Sequence, residues 1–137
     1  MAENNNEIFE WQIEIMPADI DNLGHVNNVV YLRWVQEAAA AHWNTLASPV
    51  LKNELVWVVL RHEINYHKPA FLKDRIIAKT WVGETAGFRS VRHVEIYNSL
   101  QVLLASASTT WCPLDPVSGR PKKITAEILE SLTGKKA

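Results

Sequence analysis

The chain has one cysteine in 137 residues, Cys112, so it can form no internal disulfide, which is the pattern of a reducing compartment. It also lacks a charge of one sign. Fourteen Lys and Arg against fifteen Asp and Glu leave a formal net charge of −1. The basic surplus of a nucleic-acid binder is therefore missing. Six Trp would suit base stacking, but they are scattered and most sit within apolar runs. Long hydrophobic runs are absent too. The longest, residues 55–60, is far too short to span a bilayer. Residues 1–7, Met-Ala-Glu-Asn-Asn-Asn-Glu, lack the basic and apolar regions of a secretory signal. Together these absences predict a cytoplasmic protein with no nucleic-acid or membrane partner. Common catalytic spacings are missing as well: no Gly-x-Ser-x-Gly elbow, no His-Glu-x-x-His and no Cys-x-x-Cys.

What is present describes a packed globule. The composition is 47% hydrophobic and 21% charged, enough apolar material for a core. No internal repeat or linker divides the sequence, so one domain over 1–137 is expected. Residues 9–15 alternate apolar and polar, the pattern of a half-buried strand, and Met16-Pro17-Ala18 breaks it. A helix is predicted over about 28–43. Val30, Trp34, Val35, Ala38, Ala41 and His42 form its apolar stripe, and Ala38–Ala41 favour the helical state. Asn27 or Asn28 suits the N-cap, and Ser48-Pro49 closes the region. Four β-rich runs follow, at 56–67, 75–82, 90–97 and 102–112. Turn-like joints separate them at 68–70, 83–87 and 98–99. The last joint is short, so its strands should form an antiparallel hairpin. A loop at 113–121 and a short amphipathic helix at 124–132 complete the order β-α-β-β-β-β-α. One long helix with an antiparallel sheet packs most simply if the sheet wraps the helix, an α+β arrangement.

The chemistry concentrates in Asp19-Ile20-Asp21-Asn22-Leu23-Gly24-His25-Val26-Asn27-Asn28, followed by Tyr31. A carboxylate, an imidazole and a helix N-terminus fall between strand and helix. That set can activate a water and stabilise an oxyanion. Asp21, just before a helix, can act as general base or attack a carbonyl directly; capping a turn is its simpler alternative. Asp19 suits a loop hydrogen bond. Gly24 lets backbone approach a ligand. The first-turn amides near Asn27 and Asn28 are unpaired within the helix and can donate to a carbonyl oxygen. Tyr31, one turn on, fits a pocket wall or the core equally. Glu37 and Glu63 read as solvated, and Cys112 as a buried inert thiol. The Trp at 34, 57, 81 and 111 read mostly as core, while Trp43 and Trp57 suit the bounds of a pocket.

The strand, the Asp-x-Asp-x-x-Gly-His-Val-Asn-Asn-x-x-Tyr loop, the helix and the four strands resemble the hotdog-fold acyl-CoA thioesterases of the 4-hydroxybenzoyl-CoA thioesterase type. Gly24-His25-Val26-Asn27-Asn28-x-x-Tyr31 is most similar to the branch with long-chain acyl-CoA and plant acyl-carrier-protein thioesterases. Tyr66-His67-Lys68-Pro69-Ala70 resembles the family's Tyr-x-x-Pro-Ala segment.

The resemblance implies a five-stranded antiparallel sheet around a central helix, with no metal or organic cofactor. It implies a fatty or aryl acyl-CoA, or acyl-carrier-protein, substrate. Asp21, His25 and Asn28 become catalytic candidates, and Gly24, Asn27 and Tyr31 substrate contacts. Arg89 and Ser90 match the turn that touches CoA, with Arg61, Lys68 and Arg92 as further phosphate candidates. It also implies a homodimer or homotetramer with sites at the subunit interface and the second strand at the seam. The apolar start of that strand agrees, because a bare apolar edge aggregates. Two other readings are a hotdog enoyl-thioester hydratase or dehydratase and a non-catalytic acyl-CoA-binding protein. The short stretch before the first strand argues against an attached DNA-binding sensor.

Overall fold

A computed structural model describes residues 7–134. Five strands, β1 (Phe9–Ile13), β2 (Val56–Tyr66), β3 (Ile76–Ala86), β4 (Arg89–Asn98) and β5 (Leu103–Leu114), form one sheet. Its order is β1-β3-β4-β5-β2 and every neighbouring pair is antiparallel. Helix α1 (Asn28–Leu46) lies against the concave face. This is the α+β arrangement the pattern predicts, a sheet wrapped around one long helix with a short C-terminal helix, α3 (Ala126–Thr133).

The alternation along β3 and β4 gives the sheet one buried face. Ile76, Ala78 and Val82 with Val94 and Ile96 are buried on the helix side, while the residues between them are half-exposed. All but Val82 meet Val30, Trp34, Val35 and Ala38 of α1. The alanines at 38 and 39 are buried, so the backbone of α1 sits close to the strands. Trp34 is fully buried as expected, but Trp57, Trp81 and Trp111 are only partly so.

Several boundaries differ from expectation. β1 ends at Ile13, although Ile15 beyond it is still buried. β3 runs on through Gly83 to Ala86, across an irregularity between Val82 and Thr85. Gly83 is a close-approach position: a Cβ there would lie 2.6 Å from the His93 ring. The residue therefore serves the strand where the sequence suggests a turn. Ser48-Pro49, expected to close the helical region, opens a second helix. In α2 (Pro49–Glu54) the Ser48 side chain accepts from the Leu51 amide at 3.1 Å, and Pro49 takes the first turn. The β4–β5 hairpin is present, but its turn reaches Val102. Asn98 Oδ1 accepts from Leu100 and Val102, and Gln101 takes a positive φ of 65°.

β2 is an edge strand. Val56 and Leu60 on it are 45% and 50% exposed. The register against β5 skips Leu60, a bulge between Val59 and Arg61. A second core of Leu51, Leu55, Ile128 and Leu132 ties α2 and α3 to Val82 of β3.

Candidate active site

The loop between β1 and α1 is closed by an antiparallel bridge between Ile20 and Val26. Within it the Asp21 amide donates to the His25 carbonyl at 2.8 Å, and the Gly24 amide donates to the Asp21 carbonyl at 3.1 Å. Gly24 makes the reversal at φ 80°, a conformation that L side chains resist, so the motif's glycine is a backbone requirement. Asp21 Oδ1 accepts from the amides of Leu23 at 2.9 Å and His25 at 3.2 Å. The carboxylate is thus oriented by the loop it belongs to, and no described residue donates to its Oδ2. The His25 ring lies edge-on against Phe71, with centroids 5.2 Å apart.

Asp19 has a different task. It is buried, accepts from the Met16 amide and pairs with Arg33 of α1 at 3.1 Å. Its carbonyl also takes the Asn27 amide at 2.8 Å. These bonds bind the loop to the helix, as the loop-bond reading expects.

The first turn of α1 resolves the two asparagines. Asn27 is the N-cap, and its side chain accepts from the Val29 amide at 3.1 Å. The Asn27 amide is committed to Asp19 and the Val30 amide to the Asn27 carbonyl. The Asn28 amide has no acceptor among the described residues, so it is the donor left open at the positive end of the helix.

Asp21, His25, Asn27, Asn28 and Tyr31 line one cleft of about 450 Å³. Its other wall is Tyr66, His67, Lys68 and Pro69 from the end of β2. The Tyr66 hydroxyl donates to the Asn28 carbonyl at 3.2 Å. Ala70 joins the two motifs: its amide donates to the Tyr31 hydroxyl and its carbonyl accepts from the Val26 amide. Tyr31 is therefore both core and cleft wall, and burial holds its phenol above the ordinary pKa, in the neutral form. Lys68, a basic candidate from its residue type, does line the cleft, and Tyr66 is a cleft residue that such reasoning passes over. Their signal was the Tyr-x-x-Pro-Ala segment, whose spatial partner the linear sequence does not name.

Arg89 and Ser90 are not in this cleft. They begin β4, whose opposite end faces the loop, roughly 30 Å away at about 3.3 Å per residue. Ser90 lines a second cavity of about 350 Å³ with Trp43, Trp57 and Arg92. Arg92 is 5% exposed on the helix face, so it is not the surface phosphate contact expected of it. Among the described residues no three His, Cys, Asp or Glu side chains gather as metal ligands would. No helix there is long and apolar enough to cross a membrane.

A sheet curled around one helix, with a loop carboxylate beside an open helix N-terminus, defines a hotdog-fold hydrolase. The chain belongs to the thioesterase superfamily: residues 23–105 match that family, and thioester hydrolysis is its reaction class. It is 27% identical to YneP of Bacillus subtilis over 113 residues, 80% of this chain and 82% of that protein. It is 23% identical to the acyl-CoA thioester hydrolase YbgC of Escherichia coli over 128 residues, 91% of this chain and 96% of that one. Its fold matches the crystal structure of a 4-hydroxybenzoyl-CoA thioesterase variant complexed with 4-hydroxybenzoyl-CoA. The TM-score is 0.82 at 16% identity, over 91% of this chain and 98% of that one.

Proposed function

We propose that this protein hydrolyses a fatty or aryl acyl-CoA to the free acid and CoA, with Asp21 as the catalytic carboxylate. The observation that carries the reading is one cleft holding a loop-oriented carboxylate and the open Asn28 amide. The thioester carbonyl oxygen points at that amide, whose hydrogen bond and helix dipole strengthen as negative charge develops. Asp21 takes a proton from water while the water oxygen adds to the carbonyl carbon. The tetrahedral intermediate then expels CoA thiolate, which recovers the proton. Attack by Asp21 itself is the alternative: it gives a mixed anhydride and the thiolate, and water then cleaves the anhydride. His25 positions the water or the thioester beside Asp21. Gly24, expected as a substrate contact, does not line the cleft and acts through the loop reversal that orients Asp21.

The functional unit in this reading is a homodimer, two of which can pair as a tetramer. Pairing β2 antiparallel with its copy sets the Val56 end of one chain beside the Tyr66 end of the other. The Arg89–Ser90 end of one sheet then borders the Asp21 cleft of its partner. Arg89, exposed at that end, can thereby meet the CoA portion, with Lys68 at the cleft wall, while Ser90 is buried in the second cavity.

The test is thiol release from short, medium, long, benzoyl and phenylacetyl-CoA, with wild type beside Asp21→Asn. Wild type should release thiol from at least one member. The variant should lose roughly 10²-fold or more in kcat with an unchanged melting temperature. Fast release by both proteins would keep the hydrolase and remove Asp21 from its centre. Loss of the double bond of an enoyl-CoA without thiol release would instead mark a hydratase.

A further inference from the structure

The second cavity contains a charge without a counter-charge. Arg92 on β4 is 95% buried by its 5% exposure, and its Nη1 donates to Thr80 Oγ1 at 3.1 Å and meets His42 Nδ1 at 2.8 Å. Both partners are neutral acceptors. Burial, then the positive charge of Arg92, pushes His42 down to about 4, so at neutral pH its Nδ1 takes the guanidinium bond. Arg92 is itself lowered only to about 10 and stays charged. No described carboxylate pairs with it. A buried cation of this kind is expensive unless something of opposite sign completes it.

The space beside it has the shape of an amphipathic ligand. The cavity of about 350 Å³ is walled by Trp43, Leu55, Trp57, Trp111 and Leu132, with Arg92 among them. Lys52 of α2 is the other cation along the wall, and no Asp or Glu lines it. Acceptors are scarce: the indole N–H groups of Trp57 and Trp111 are buried with no partner among the described residues. The Ser90 hydroxyl is already engaged with Thr85 at 2.7 Å. A carboxylate supplies what this wall lacks, a negative charge and up to four acceptor positions.

We propose that this cavity binds an apolar carboxylate, its hydrocarbon body against the tryptophans and its carboxyl group on Arg92. Two sources share that chemistry: a free carboxylic acid, and an acyl thioester whose far end carries a carboxylate. The second source rests on the proposed thioesterase dimer, because the seam sets this cavity beside the partner's cleft. The binding itself does not.

Titration of the full-length protein with octanoate and with octanamide, followed by tryptophan fluorescence, tests it. Octanoate should bind at least tenfold tighter than octanamide. Arg92→Met should remove that preference and leave octanamide unchanged. Ala40→Phe, at an exposed position of the cavity wall outside the Arg92 hydrogen bonds, should weaken both, and it serves if Arg92→Met does not fold. Equal affinity for acid and amide, a preference that survives Arg92→Met, or no saturable binding of either would overturn the proposal. Thiol release from octanoyl-CoA and its ω-carboxy counterpart separates the sources. A kcat/KM advantage for the carboxylated thioester, lost in Arg92→Met, identifies the acyl group as occupant. Equal turnover alongside octanoate binding identifies the free acid. No turnover of either with octanoate still bound likewise identifies the free acid as occupant, while the acyl-CoA panel decides the thioesterase reading separately.

Discussion

At the residue scale, two side chains with similar descriptions have opposite surroundings. Asp19 and Asp21 stand two positions apart in one loop, yet Asp19 is buried against Arg33 while Asp21 opens onto the cleft. Asp19 ends the 3-10 turn Pro17–Asp19, whereas Asp21 starts the reversal at Gly24, and the two local geometries send the carboxylates to different surroundings. His42 makes a further prediction. Its folded pKa of about 4 lies below the unfolded value near 6.5, so the unfolded chain takes up the proton first. Stability is therefore full above pH 6.5 and declines as pH falls through 4, by roughly 3 kcal/mol at most. Urea midpoints measured between pH 7 and pH 4 should fall in wild type and fall less in His42→Gln, which keeps an acceptor for Arg92. An identical slope in both proteins would show that His42 is not the titrating group.

At the element scale, the N-terminus of α1 is where stability and chemistry meet. Asn27 caps the helix through its side chain, and that bond also fixes which amide stays open. Asn27→Ala should cost about 1 kcal/mol and lower the melting temperature by a few degrees, and Asn27→Ser should restore most of it. A normal melting temperature with a raised KM would make Asn27 a substrate contact instead of a cap. α1 was legible in the sequence because periodic apolar residues and an alanine run act locally. The turn of α2 was not, since Ser48-Pro49 serves equally well to end one helix and to begin another. The sequence pattern ends β3 early because Gly83 resembles a turn glycine. Only the His93 ring, from the neighbouring strand, explains why a glycine belongs inside that strand.

At the scale of the whole molecule, the sheet order leaves an edge that the proposed dimer would use. β2 is last in the order and carries exposed Val56 and Leu60 on an edge, which a second chain can cover. Light scattering should give at least a dimer for wild type. Val56→Lys with Leu60→Lys should give a monomer, and thiol release should fall with it, because the paired ends of two sheets then separate. A fully active monomer would place the whole site within one chain.

The linear sequence by itself determined the helix, the strand count and the Asp21–Asn28 loop. Each rests on interactions a few residues long: alternation, helical spacing, a glycine at positive φ and an N-cap. Tertiary structure alone decided the rest. Tyr66 and Lys68 reach the cleft only because the end of β2 packs beside the start of α1, joined through Ala70. Arg92 reads as a surface cation in sequence, since a charged residue in an alternating strand is ordinarily the exposed one. The helix it faces puts it inside, against His42, and leaves its charge for a ligand.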